Sequence, residues 1–211
     1  PFSMMRTGLI YSIDSKNINT LTGNPLLSVD DIALPGKHNL SNMLCAATSS
    51  SLMGISDKHI ANIMKTFIGV EHRLENVAII KDVTYINDSK ATNLDSVSVA
   101  IQSFNKPVVL ILGGRNKGAD FRLLLPHIKS SHVRDIISYG EAGGQISTAI
   151  GDAVRSVQVT DLNSAVKTAQ RLAAPGDVVL LSPGCASFDQ FANFEERGQY
   201  FKTKVMEMMA A

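Results

Sequence analysis

The pattern of hydrophobic and polar positions divides the chain at Gly69. Before this residue, apolar side chains recur at helical spacing over residues 40–52, and a second helix is predicted over residues 56–67. Upstream of these helices, short extended segments alternate with turn formers, and a strand is predicted at Gly8–Ile13. The stretch over residues 1–36 has too little apolar surface to fold alone, and we place a domain boundary at Gly69.

After Gly69 the pattern changes to apolar, β-branched runs separated by helical candidates. The predicted strands are Val77–Ile80, Val83–Ile86, Val108–Leu112, Asp135–Tyr139, Ser156–Val159 and Val178–Leu181. The predicted helices are Asp95–Phe104, Phe121–Lys129, Gly144–Ile150, Asn163–Ala173 and Phe188–Met206. This alternation predicts an α/β domain over residues 70–211, with a mostly parallel, dinucleotide-fold-like sheet covered by helices on both faces.

The first polar segment that follows a predicted strand is Asn87–Asn93. Parallel sheets bind ligands beyond the carboxyl ends of their strands, which is where this segment lies. Lys90 can act there as a point charge for a carboxylate or phosphate, and Thr92 with nearby backbone amides can complete an anion site. The alternative is a solvated loop in which Asp88 or Thr92 caps the next helix.

A second polar segment, Ser182–Ser187, follows the last predicted strand. Ser187 is predicted to cap the following helix and to donate to a ligand carboxylate near its N-terminus. Phe194, seven residues further on, could form the wall of a pocket. The alternative is an amphipathic helix with ordinary aromatic core contacts. Cys185 has no base beside it in the sequence, which favours a packed thiol over a nucleophile.

Three further positions are candidates for binding anions or a nucleotide. Lys117 lies in Gly113–Gly118, which matches neither GxxxxGK[ST] nor GxGxxG, so the chain contains no phosphate loop of its own. Asn39 and Asn42 are three residues apart on a helix and could bind adenine, unless Asn39 is a helix cap. Arg73 could contact a nucleotide or form an interdomain salt bridge.

Composition excludes several classes of function. The charge is nearly balanced, with 20 basic and 19 acidic residues, which argues against electrostatic binding of nucleic acid or of an anionic membrane. The two cysteines fit no metal-binding spacing, so reduced thiols are expected. Neither a signal peptide nor an apolar run long enough to cross a bilayer is present, and we expect a cytoplasmic, monomeric protein.

Taken in order, these motifs resemble the Mur ligase family, and in particular its D-glutamate-adding members. The resemblance rests on HNLSN, EHR, NDSKATN, LGGRNKGADF and LSPGCASFDQFANFEERG, and it spans residues 36–200. It implies a three-domain enzyme of peptidoglycan precursor synthesis that uses ATP and Mg²⁺. In that enzyme residues 1–69 would be the tail of the central ATPase domain, and residues 70–211 would be the C-terminal ligase domain that binds the incoming amino acid. In such an enzyme, ATP phosphorylates the carboxylate of UDP-MurNAc-L-alanine, and the amine of D-glutamate attacks the acyl phosphate.

The resemblance also implies roles for individual residues. The implied ATP contacts are Asn39, Asn42, Arg73 and Asp88. The implied D-glutamate contacts are Lys90, Thr92, Lys117, Ser187, Phe188 and Phe194, with Lys90 as the catalytic residue. The magnesium ligands and the phosphate loop are expected in an upstream part of the parent protein, so the 211-residue chain is predicted not to ligate by itself. The alternative is a stand-alone module that binds nucleotide or amino acid without catalysis. A dinucleotide-dependent oxidoreductase is excluded for want of GxGxxG.

Overall fold

A computed structural model describes residues 11–14, 16–20, 22–34 and 37–209, and it divides the chain into two compact units after Gly69. Residues 8–10 of the predicted first strand lie outside the described residues.

The first unit contains a small antiparallel sheet and two helices. Its three strands are β1 (Tyr11–Ile13), β2 (Asn17–Thr20) and β3 (Pro25–Ser28), paired in that order. Helices α1 (Lys37–Leu52) and α2 (Asp57–Thr66) confirm the two helical predictions. Buried apolar side chains from strands and helices form one core, among them Ile18, Leu44 and Ile60.

The second unit is built on a six-stranded sheet with the order β4-β5-β9-β6-β7-β8. The strands are β4 (Glu75–Ile80), β5 (Val83–Asn87), β6 (Val108–Gly113), β7 (Val133–Tyr139), β8 (Arg155–Gln158) and β9 (Val178–Gly184). Only the β4–β5 pair is antiparallel. The helices are α3 (Leu94–Gln102), α4 (Leu125–Lys129), α5 (Gly143–Ile150), α6 (Leu162–Leu172) and α7 (Phe194–Glu207).

Strand β6 shows why helices cover both faces of this sheet. All six of its residues are buried. Alternate side chains point to opposite faces of a strand. Val108, Leu110 and Leu112 therefore pack in a core with α3, α4 and α5, while Val109 and Ile111 pack in a second core with α6 and α7. The predicted fold class, a mostly parallel sheet with helices on both faces, is confirmed.

The predicted start of the last helix is wrong. A helix was expected from Phe188, but α7 begins at Phe194 with Asn193 as its N-cap. The Asn193 side chain accepts a hydrogen bond from Glu196 N at 2.7 Å, and the Glu196 carboxylate accepts one from Ala192 N at 2.8 Å. These two bonds satisfy amides that an earlier helix start would have used, so residues 187–192 form turns instead.

The predicted helix over Phe121–Lys129 is also divided. Phe121–Leu124 is a 3₁₀ turn, capped by the Asp120 side chain, and α4 follows it as a short α-helix with Pro126 near its start. Proline has no amide hydrogen, so it is tolerated at the first positions of a helix but not further along it. Residues 121–129 are therefore helical as predicted, and Pro126 explains why the α-helix itself begins only at residue 125.

Candidate functional site

The three polar segments meet at the carboxyl edge of the sheet because their strands β5, β9 and β6 are neighbours. Backbone hydrogen bonds join them directly. Asp88 N donates to Leu181 O at 2.8 Å, and Gly184 N donates to Ala91 O at 2.8 Å. Arg115 N donates to Ala186 O at 2.8 Å. The loops after these strands therefore form one connected platform, which places the predicted anion-binding residues of this unit along one edge.

Asp88 lies beneath this platform, with 5% of its surface exposed. One carboxylate oxygen accepts a hydrogen bond from Leu74 N at 3.2 Å, and the other accepts one from Ser182 Oγ at 2.8 Å. Burial raises the pKa of Asp88 to about 6, although the two hydrogen bonds and the nearby charge of Arg73 act in the opposite direction. Asp88 thus connects the turn before β4 to strand β9.

Arg73 lies on that turn, between two residues in the left-handed backbone region. His72 has φ 64° and Leu74 has φ 45°, which costs free energy for residues with a β-carbon. The His72 ring is buried against Gly198, where an added β-carbon would lie 2.2 Å from Nδ1. It also hydrogen-bonds to the Asn87 side chain at 2.9 Å. Packing and hydrogen bonds therefore hold a strained turn that leaves Arg73 exposed.

Lys90 and Thr92 follow β5 on the loop before α3. The backbone of Lys90 is fixed by a hydrogen bond from its amide to His72 O at 3.0 Å, while its side chain is exposed. The Lys90 ammonium lies 5.7 Å from the centroid of the Phe194 ring. Asn93 caps α3 by accepting from Ser96 N at 2.8 Å. The alternative in which Asp88 or Thr92 caps this helix is therefore wrong.

Ser187 does not cap a helix, which corrects the structural part of its predicted role. It is 2% exposed, and its carbonyl oxygen accepts hydrogen bonds from Gln190 N and Phe191 N in a turn. Phe188 is 61% exposed on the same turn. Phe194 is half-buried as the first residue of α7. The dipole of α7 therefore begins six residues after the predicted position.

Lys117 is exposed on the loop after β6. The Asn116 side chain holds this loop by donating to Ala119 O at 3.1 Å and accepting from Ala119 N at 2.8 Å. Arg115 forms a bidentate ion pair with Glu141 at 2.8 Å. Because its neighbours are fixed in this way, Lys117 extends from an ordered loop, and among the described residues it forms no ion pair.

Sequence reasoning missed Arg197, which is completely buried. Its guanidinium donates to Ser89 Oγ, to Ser89 O and to Cys185 O at 2.8–3.0 Å, and so connects α7 to two of the loops. The Asn-x-x-Glu pattern at residues 193–196 would have located the start of α7 and placed Arg197 in its first turn. Burial raises the pKa of the Cys185 thiol to about 12, as expected for a packed thiol.

Asn39 and Asn42 lie on α1 of the first unit, where Asn42 is exposed. The described residues contain no group of three or more His, Cys, Asp or Glu side chains arranged to hold a metal ion. None of the described helices is both long and apolar enough to cross a membrane.

The fold is similar to that of two larger proteins of known structure. It superposes on UDP-N-acetylmuramate-alanine ligase from Thermotoga maritima with a TM-score of 0.68 and 14% identity, covering 94% of this chain and 46% of that one. It also superposes on a bifunctional folylpolyglutamate synthase/dihydrofolate synthase from Yersinia pestis, with a TM-score of 0.59, 19% identity and coverage of 95% and 45%. At these identities the likeness concerns the fold alone.

Residues 72–185 match the family model described as Mur ligase, glutamate ligase domain, and the chain belongs to the Mur ligase family. Relatives named UDP-N-acetylmuramoylalanine--D-glutamate ligase share 43% identity in Salinibacter ruber and 46% in Lactobacillus delbrueckii, each over 185 residues and 87% of this chain. A relative of the same name from Leuconostoc mesenteroides is 43% identical over 97% of the chain. The chain spans about 40–45% of the length of these curated relatives.

Proposed function

We propose that the chain is part of an ATP-dependent ligase that adds D-glutamate to UDP-MurNAc-L-alanine in peptidoglycan precursor synthesis. The relatives that carry this name match 87–97% of the chain at 43–46% identity, which is the main support for the substrate. In this proposal residues 70–211 bind the incoming amino acid, and residues 1–69 are the tail of a central ATPase domain. The parent protein is cytoplasmic and monomeric.

One observation in the structure carries the proposal for the amino-acid site. Lys90 and Lys117 extend from two loops at the same edge of the sheet, and neither forms an ion pair among the described residues. D-Glutamate has two carboxylates, so two separate cations suit it. Thr92, on the loop after β5, and Ser187, on the loop after the neighbouring strand β9, supply hydroxyl donors.

The reaction requires little proton chemistry from these residues. An acyl phosphate is already a good electrophile, so the amine of D-glutamate needs correct placement more than a strong base. Positioning of this kind can supply a large part of a rate enhancement. Lys90 and Lys117 hold the carboxylates, Phe188 and Phe194 shield the site from water, and the amine is left free to attack. The products are the amide, ADP and phosphate.

ATP contacts are assigned to Asn39, Asn42, Arg73 and Asp88. Arg73 is exposed and suited to a phosphate or ribose, and Asp88 supports the turn that presents Arg73. Each Asp88 oxygen accepts one protein hydrogen bond and keeps a second lone pair for a ligand hydroxyl. Magnesium, when bound, supplies charge neutralisation on the phosphates, and we assign its ligands to the upstream part of the parent protein.

Phosphate release measures the proposed activity directly. The complete protein is expected to release phosphate only when ATP, UDP-MurNAc-L-alanine and D-glutamate are all present. The 211-residue chain is expected to release none, because it contains no phosphate loop. Release by the complete protein without D-glutamate dependence would contradict the proposed substrate. Release by the short chain would contradict the division of labour between the two parts. If neither releases phosphate but calorimetry detects D-glutamate binding, the protein is a binding module.

A further inference from the structure

The aromatic ring of Phe194 contacts two other side chains of the site. The Lys90 ammonium is 5.7 Å from the ring centroid. The centroid of the His72 ring is 6.1 Å from that of Phe194, and the two rings are nearly perpendicular at 84°. A cation within about 6 Å of an aromatic centroid is attracted by the negative face of the ring. The geometry therefore places Lys90 within range of a cation–π interaction.

The surroundings of Phe194 restrict where its ring can lie. Its carbonyl oxygen accepts a hydrogen bond from Ser89 Oγ at 2.8 Å, and it begins α7 directly after the cap residue Asn193. His72, which packs on the ring, is itself held against Gly198 in the interior of α7. The backbone of Phe194 is therefore held at the start of α7, and the buried His72 ring packs against the Phe194 ring.

Lys90 is the exposed partner in this contact. Its backbone is fixed by the bond to His72 O, but its side chain is exposed and forms no ion pair among the described residues. Ordering a free lysine side chain on a ligand costs rotamer entropy. A ring face that already attracts the ammonium reduces this cost and leaves the N–H groups free to donate to a carboxylate.

We propose that Phe194 is a positioning residue whose ring holds the Lys90 ammonium ready for the carboxylate of the incoming amino acid. This proposal rests on the proposed function for the identity of the ligand. It assigns to the Phe194 ring a role that acts through Lys90, in addition to any direct contact with substrate.

Fluorinated phenylalanines at position 194 provide the test in the complete ligase. Added fluorine weakens the negative face of the ring while changing its size little. With mono-, di- and trifluorinated rings, the KM for D-glutamate is expected to rise stepwise by about threefold to fivefold, which corresponds to about 0.7–1 kcal/mol. The KM for ATP is expected to stay within about twofold. Phe201, completely buried on the same helix, is the matched control, and its fluorination should leave the KM for D-glutamate unchanged.

A second measurement uses the 211-residue chain and does not depend on activity. The measurement is the NMR chemical shift of the ε-methylene protons of Lys90, assigned with a Lys90→Arg variant. The ring current of Phe194 is expected to shift this resonance upfield, and in Phe194→Leu the resonance should return to the position of an ordinary lysine. An unshifted resonance, or a KM that stays flat along the fluorine series, would overturn the proposal. If the complete protein does not use D-glutamate, the proposed function fails. In that case the chemical shift of Lys90 still tests the contact, because its measurement needs no activity. Loss of the upfield shift on fluorination of Phe194 would show that the ring holds the ammonium.

Discussion

The two edges of the central sheet treat their charges in opposite ways. At the amino edge, Arg134 donates to the buried carboxylates of Asp135 and Asp177, at 2.8 Å each. Arg155 pairs with the same Asp135. At the carboxyl edge, Lys90 and Lys117 are exposed and form no ion pair among the described residues.

This difference separates structural charges from charges that are available to a ligand. Carboxylates buried at the amino edge require their partners, because an unpaired charge is costly in the protein interior. The lysines at the carboxyl edge remain hydrated and can exchange water for an anionic ligand. Arg197, which lies near the carboxyl edge, is a completely buried cation. Within the described part of the chain it forms no ion pair, and its guanidinium donates instead to two carbonyls and a hydroxyl. Its task is to fix the loops.

The largest expected effect concerns the amino edge. Arg134→Ala leaves Asp177 buried without its guanidinium and removes one of the two cations on Asp135. We expect a loss of about 3–4 kcal/mol in the free energy of unfolding, near the low end for buried pairs because Arg134 itself is partly exposed. Urea denaturation of the 211-residue chain measures it. A loss below about 1 kcal/mol would remove the contrast between the edges.

A pH-dependent effect of the next size is expected from Asp88. Its pKa of about 6 in the folded chain lies above the ordinary value of 3.8, so folding favours the protonated form. Stability from this group is therefore complete below about pH 4 and is lost as the pH rises to about 6, by on the order of 2–3 kcal/mol. Asp88→Asn, which keeps the shape, should lack this loss. The two unfolding free energies are compared between pH 4 and pH 7, and parallel curves would contradict the burial of an ionisable group.

The smallest effect is expected at an exposed pair and serves as the control. Arg122→Ala removes the ion pair with Asp120, in which Arg122 is 73% exposed. Exposed pairs of this kind contribute little, so the unfolding free energy should be unchanged within experimental error. The same denaturation experiment measures it. If Arg122→Ala lowered the unfolding free energy as much as Arg134→Ala, the burial of the carboxylate partner would not explain the large effect at the amino edge.

The sheet was predictable because strands buried on both faces have a distinctive apolar pattern, as in Val108–Leu112 and Val178–Leu181. The loops after the strands were predictable for the same reason, since a strand end fixes where its loop begins. Periodicity placed the start of α7 too early, although the Asn-x-x-Glu pattern at residues 193–196 marks it. The turn before α7 depends on tertiary bonds, in which the side chains of Asp189 and Gln190 accept from Glu141 N and Leu162 N on neighbouring loops. Periodicity along the chain contains no information on such tertiary bonds.

Arg197 and His72 were missed for a related physical reason. A charged or polar residue on a helix or a turn is normally assigned to the solvent side, and only tertiary packing reveals that these two are buried. The strand ends predict that the loops after β5 and β9 lie close together. The bonds from Arg197 that fix those loops follow from the position of α7, which sequence reasoning had placed incorrectly.

The central claim is that Lys90 at the carboxyl edge binds the carboxylate of D-glutamate, and the complete ligase carrying Lys90→Ala tests it most directly. A hydrogen bond to a charged group contributes about 1.5–3 kcal/mol, so the KM for D-glutamate should rise roughly 10- to 100-fold while the KM for ATP stays within about twofold. The folded chain should keep its unfolding free energy within about 0.5 kcal/mol, since Lys90 is exposed. Equal rises in both KM values, or an unchanged KM for D-glutamate, would contradict the account.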